Sequence, residues 1–339
     1  MEIVRKIDRA QAQKLLDGSL SLKASKDNPI FFSSRNTFAM ENRDQIQSMD
    51  KHKQETNDEN DSVLLVIDDL NPNLDLFWQS QECKWIHGKL SVPVLQSELT
   101  AKDILRIEEI NAKHRMNILM NTSMYDEKWC YPALKKVYRP TDRVCILAFS
   151  FYDDTKNAQD WDRQFGAGRG IWYRANTDPF LKFGLKKDQI VWVNFFEDSP
   201  EVMKNKILNS SILVLPGGAP DLMMKRIKEK KLTAILKNYQ QTIVGFSAGA
   251  MIQLKRYHIT PDEDYPDYGW YSGLGYLDDF DIEVHYQGSS HQKRHIEKAM
   301  DDSGLEVIAI YEKGGMICEL KGKRSYFGQI DFFSLPEQK

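Results

Sequence analysis

The sequence predicts an α/β protein, a mostly parallel sheet flanked by helices, with an α+β extension in front of it. Two observations carry this. From residue 113 onward, short apolar runs alternate with helix-compatible stretches, and that alternation implies right-handed crossovers and a parallel sheet. One of these runs leads into Gly245-Phe246-Ser247-Ala248-Gly249, the G-x-S-x-G pattern of a serine held at a sharp strand-to-helix elbow.

The elements follow in order. Within residues 1–112, segment 41–62 nearly lacks large apolar side chains and is dense in Asp, Glu, Asn, Gln and Lys. It cannot bury enough surface to offset its ordering entropy, so it reads as a mobile loop or linker. Residues 63–67 read as a strand. Residues 97–110 read as a helix, with Ile104, Leu105, Ile107 and Ile110 at helical spacing and Ser97 or Thr100 as its cap. No chemistry is legible in this first part, and the expected division is 1–112 and 113–339. In the second part, residues 117–120 and 144–149 read as strands, with a short amphipathic helix over 133–138 between them. Strands at 190–194 and 212–215 follow, then a helix over 221–229 and the strand that ends at the elbow.

The elbow glycines are needed where the backbone is tight and a Cβ would collide. The turn leaves the Ser247 hydroxyl at the positive end of a helix, where a developing anion is stabilised. Upstream, the buried strand at 212–215 runs into Pro216-Gly217-Gly218. Paired glycines let backbone N–H groups approach a substrate, so Gly217 is a candidate binding residue. The N–H groups of Gly218 and Ala248 are candidates for an oxyanion hole. Downstream, residues 279–286 alternate polar and apolar with strand period, which places Asp281, Glu283 and His285 on one face. His285, at the strand end, is the expected general base for Ser247. His258 is the weaker competitor, and His291 and His295 look like surface residues at a helix start.

Leu215-Pro-Gly-Gly218, Gly245-Phe-Ser-Ala-Gly-Ala250, Ser272-Gly-Leu-Gly-Tyr-Leu277 and Glu283-Val-His-Tyr286, in this order, resemble the aspartyl dipeptidase (dipeptidase E)/cyanophycinase family of serine peptidases. The resemblance spans roughly residues 113–335. It implies a fold like that of class I glutamine amidotransferases, a flavodoxin-like sheet, with serine in place of the usual cysteine. It also implies a triad in the chain order Ser, Asp, His, with the aspartate shortly after a Thr beyond the elbow helix. Asp262, in Ile259-Thr-Pro-Asp262, holds that place. Glu283 is the alternative acid, and Glu263 and Asp264 lie close in sequence. An aspartyl preference, implied in the same way, would need a cation, for which Arg169 and Arg174 are candidates.

Composition excludes several classes. With 46 basic and 49 acidic residues the net charge is −3, which gives no signal for nucleic acid. No apolar run approaches the roughly 20 residues of a membrane span. The first ten residues contain no signal-peptide core. The four cysteines, Cys83, Cys130, Cys145 and Cys318, are scattered without C-x-x-C spacing. They read as reduced thiols of a cytoplasmic protein rather than a zinc or disulfide framework. None sits in the elbow, which argues against a glutamine amidotransferase. Gly166-Ala-Gly-Arg-Gly170 lacks the strand-to-helix context of a phosphate loop, and no cofactor or metal is expected. The expected partner is a small peptide, and self-association through residues 1–112 stays open. The leading reading is a serine peptidase. An esterase-type hydrolase and a non-catalytic binding protein on the same scaffold are the alternatives.

Overall fold

The structure, a computed structural model, describes residues 2–16, 19–24, 30–34, 62–68, 72, 74–83, 88–109, 115–319 and 322–335. The segment expected to be mobile, 41–62, lies outside the described residues except for Ser62. An eight-stranded sheet organises the second part of the chain. Its strands are β1 (Met116–Met120), β2 (Val144–Leu147), β3 (Ile190–Val193), β4 (Ile212–Leu215), β5 (Thr242–Phe246), β6 (Asp281–Tyr286), β7 (Val307–Glu319) and β8 (Arg324–Phe333). Strands β3, β2, β4, β5 and β1 lie side by side in that order, all parallel.

Residues of β1, β2, β4 and β5 turn alternately to the two faces, and both faces are buried. Leu119, Cys145, Leu147, Leu213, Leu215 and Ile243 enter one core, packed with the helices Pro200–Leu208 and Pro220–Glu229. Ile118, Met120, Val144, Ile146, Ile212, Val214 and Val244 enter the other, packed with Leu134, Tyr138 and Phe180. Burial on both faces is why these strands read as continuous apolar runs. The helix expected over 133–138 is the single turn Tyr131–Leu134, and that expected over 221–229 is Pro220–Glu229.

Beyond β1 the sheet changes direction. The 13-residue β7 runs antiparallel to β1 through Gly315–Glu319 and parallel to β6 through Val307–Tyr311. Antiparallel β8 follows its other edge. Gly315 stands opposite Met120, so the first half of β7 projects past the C-terminal edge of the parallel strands. That projection carries β6 with it and brings the end of β6 back toward the end of β5.

The N-terminal strands form two smaller sheets. Glu2–Asp8, Ser33–Ser34, Ser62–Asp68 and Ile104–Glu109 make one, and Ile30–Phe31, Leu76–Cys83 and Gly88–Leu95 the other. The helix expected over 97–110 is not formed. Thr100 does start a turn, its N–H and hydroxyl bonded to Asp103 Oδ2 at 3.0 and 2.8 Å. After the one 3-10 turn Ala101–Asp103, the chain extends at Ile104 and pairs antiparallel with Ser62–Asp68. A neighbouring strand edge takes up the backbone hydrogen bonds of this Ile-rich stretch, and tertiary pairing outweighs helical spacing. Among the described residues, no helix is long and apolar enough to cross a membrane.

Candidate active site

Ser247 lies between β5 and the short helix Ala248–Met251, with φ 52° and ψ −120°. Its N–H donates to the carbonyl of Met120 at 2.9 Å, which ties the turn to β1. A Cβ on Gly249 would lie 1.7 Å from the carbonyl oxygen of Leu215, and one on Gly245 2.0 Å from that of Gly249. The pentapeptide's glycines are therefore demanded by the close approach of β4, β5 and the helix. Across the crevice, the carbonyl of Ser150 receives the N–H of Ala219 at 2.7 Å, and the Ser150 hydroxyl donates to Gly217 O at 2.6 Å. Gly218, at φ +129°, lies so close to Ser150 that a Cβ would meet its carbonyl oxygen at 2.2 Å. This clamp fixes the Gly217-Gly218 backbone beside Ser247.

His285 reaches the serine from β6. The pairing of β6 with β7 slips between Glu283 and Tyr286, and His285 takes φ 50° there. Such an irregularity re-aims a side chain out of the strand's alternation. Its Nε2 lies 2.9 Å from Ser247 Oγ, and its Nδ1 lies 2.9 Å from Glu312 Oε2. Its carbonyl accepts from Gln292 Nε2 at 3.1 Å, at the start of the helix Ser290–Ser303, which Ser289 caps.

The carboxylate on His285 is thus Glu312, not Asp262 or Glu283. Asp262 instead closes its own loop, with Oδ1 accepting from the N–H groups of Asp264 and Tyr265 at 2.9 and 2.7 Å. Short polar side chains satisfy turn backbones in this way, and that accounts for an Asp here. Glu283 is buried and points to the strand Arg256–Ile259, accepting from Thr260 Oγ1 at 2.8 Å and lying 2.9 Å from His258 Nε2. Nδ1 of His258 lies 2.6 Å from Asp281 Oδ2, and this cluster is buried. Burial alone would lower the His258 pKa, but hydrogen bonds to and charges on Asp281 and Glu283 outweigh it and push it up to about 10. His258 is therefore an imidazolium locked between two carboxylates, which take both of its ring nitrogens. Glu312 went unnoticed in the sequence. The one signal there is an acidic residue closing an apolar strand run just before Gly314-Gly315.

Two cavities meet at Ser247 and His285. One, of about 880 Å³, also touches Gly217, Gly218, Ser150, Asn121 and Glu312. The other, of about 520 Å³, lies on the Thr260–Asp264 side and touches Glu283 and His291. Arg174 borders the larger cavity but is exposed and paired with Asp178 at 3.0 Å, and Arg169 pairs with Asp162 at 3.0 Å. His291 and His295 lie on the first turns of the helix Ser290–Ser303, His291 against the carbonyl of Pro261. The described thiols Cys130, Cys145 and Cys318 are buried, which raises their pKa values and leaves none as a nucleophile.

Residues 172–322 match the family model of peptidase family S51, a span that contains Ser247, His285 and Glu312. No curated protein matches the chain. Among solved structures, one of a candidate peptidase E protein from Listeria monocytogenes EGD-e is similar at 13% identity with a TM-score of 0.44. That alignment covers 66% of this chain and 99% of the other. A peptidase from an acI-B1 actinobacterium is similar at 15% identity with a TM-score of 0.46, covering 67% of this chain and 93% of that one.

Proposed function

We propose that this chain, a hydrolase with a peptidase family S51 region, cleaves small peptides through a Ser247–His285–Glu312 triad. The observation that carries the proposal is the unbroken series of two 2.9 Å contacts from Glu312 through His285 to Ser247, where both cavities open. The strained strand-to-helix turn at Ser247 has the form of a nucleophile elbow.

His285 Nε2 takes the hydroxyl proton as Ser247 Oγ attacks the scissile carbonyl. Glu312 fixes the tautomer that leaves Nε2 free to accept and stabilises the imidazolium that results. The developing oxyanion falls to the N–H groups of Gly218 and Ala248. The protonated His285 then gives its proton to the leaving amine. Water, deprotonated by the same imidazole, resolves the acyl-enzyme and restores Ser247. Ser247→Ala abolishes peptide hydrolysis in a protein that keeps its circular dichroism spectrum. Full turnover by that folded variant would sink the assignment.

A further inference from the structure

We infer that the larger cavity binds a bulky apolar side chain flanking the scissile bond, rather than an aspartyl carboxylate. This rests on the peptidase reading of Ser247. The cavity's walls include Met124, Phe151, Phe165, Trp172, Pro179 and Phe246, and it opens directly on Ser247 and His285. At about 880 Å³ it is large for a single Asp side chain and falls in the ordinary range of ligand sites, about 300–1,000 Å³.

Charge points the same way. The cations at the cavity are Arg174 and Lys182, both exposed at its rim, and Arg174 is already paired with Asp178. The carboxylates there are Asp126, Asp178 and Glu312. An aspartyl group bound against apolar walls needs a desolvated cation as partner, and neither rim cation supplies one. Trp172 and Met124 remain 51% and 50% exposed, and both border this opening. A substrate side chain entering the cavity would cover them, and that burial is the driving force for the preference.

The test uses full-length Ser247→Ala protein, which binds without turnover, and calorimetric titration with the dipeptides X-Ala and Ala-X, where X is Phe, Leu, Ala or Asp. In one of the two series the Phe and Leu peptides bind at least about tenfold more tightly than the Ala and Asp peptides, from the apolar area each buries. Adding Trp172→Ala removes most of that difference. Tightest binding by Asp overturns the inference, and so does equal affinity across X, undetectable binding of the Phe and Leu peptides included. Labelling of the wild-type protein at Ser247 by a fluorophosphonate probe checks the underlying reading separately. Absent labelling with the apolar ranking intact defeats the nucleophile and leaves the cavity's preference standing.

Discussion

Glu312→Gln separates the proposed triad from the two acids the sequence favours. The change keeps the side chain's length and removes its charge, 2.9 Å from His285 Nδ1. Both partners are open to solvent, with side chains 47% and 62% exposed. At that distance the attraction on a charged imidazolium is about 1.4 kcal/mol at the dielectric constant of water and about 6 kcal/mol at an effective value of 20. The lower figure sets a floor of about tenfold on the loss in kcat, and the loss grows if bound peptide excludes water. Stability hardly changes, because exposed ion pairs contribute about 0–1 kcal/mol. Steady-state hydrolysis of a small peptide, with urea melts of both proteins, provides the assay. Asp262→Asn is the control. Its Oδ1 still accepts from the N–H groups of Asp264 and Tyr265, so its kcat stays near wild type. A Glu312→Gln protein with unchanged kcat, beside an Asp262→Asn protein that has lost tenfold or more, would refute the reasoning.

Outcomes at three further residues follow from the surrounding structure. His258→Ala leaves Asp281 and Glu283 buried without their cation and costs about 3–5 kcal/mol by chemical denaturation. Because the folded pKa of His258 is raised to about 10, wild-type stability from this group is full below its ordinary value near 6.5 and fades as pH rises through about 10. Melts of wild type and His258→Gln therefore converge toward pH 10, and a gap that widens with pH contradicts the buried imidazolium. Gly249→Ala forces a Cβ against the Leu215 carbonyl and lowers the unfolding free energy by about 3 kcal/mol or more, seen as a lower urea midpoint, or prevents folding. A soluble variant with an unchanged midpoint refutes the clash. Arg226, buried, donates to the carbonyls of Phe149 and Phe151 and stacks 3.6 Å from the Phe151 ring centroid. Arg226→Met strands both carbonyls at about 1–3 kcal/mol each, and loosening Phe151 in the cavity wall raises KM more than it lowers kcat. An unchanged KM would disconnect that loop from substrate binding.

The parallel sheet was legible because β1, β2, β4 and β5 are buried on both faces, so each carries an apolar run: Ile118–Met120, Val144–Leu147, Ile212–Leu215 and Ile243-Val244. The elbow was legible because close approach of backbones admits only glycine at 245 and 249. The helix expected over 97–110 failed for a different reason. Its Ile spacing suits a helix face and a strand edge alike, and only the distant segment Ser62–Asp68 decides between them. The acid on His285 was hidden because the partnership is not local. Glu312 meets His285 through a β-irregularity on each of two strands, after β7 carries both past the sheet edge. Asp262 and Glu283 stand nearer in sequence, yet a turn backbone and a buried histidine hold them.

The two residues proposed to exchange a proton are both held in strained backbone. Ser247 and His285 are non-glycine residues at φ 52° and 50°, and each such conformation costs on the order of 1–3 kcal/mol. Neither would persist unless the surroundings over-determined it. At Ser247 the constraint is the N–H bond to Met120 and two glycine contacts closer than any Cβ allows. At His285 it comes from two sides. Gln292 holds the carbonyl from one, and from the other the His258 cluster pins Glu283, the last residue of β6 in regular register before the slip. The buried cluster thus acts on His285 through the strand, which explains enclosing a charged trio that contacts no reacting atom. Loosening it at His258 should broaden the rotamers of His285 and lower kcat beyond what the loss of folded protein accounts for. Imidazole NMR of His285 in a folded His258→Gln variant reads this directly, and a His285 signal unchanged from wild type would confine the cluster to stability alone.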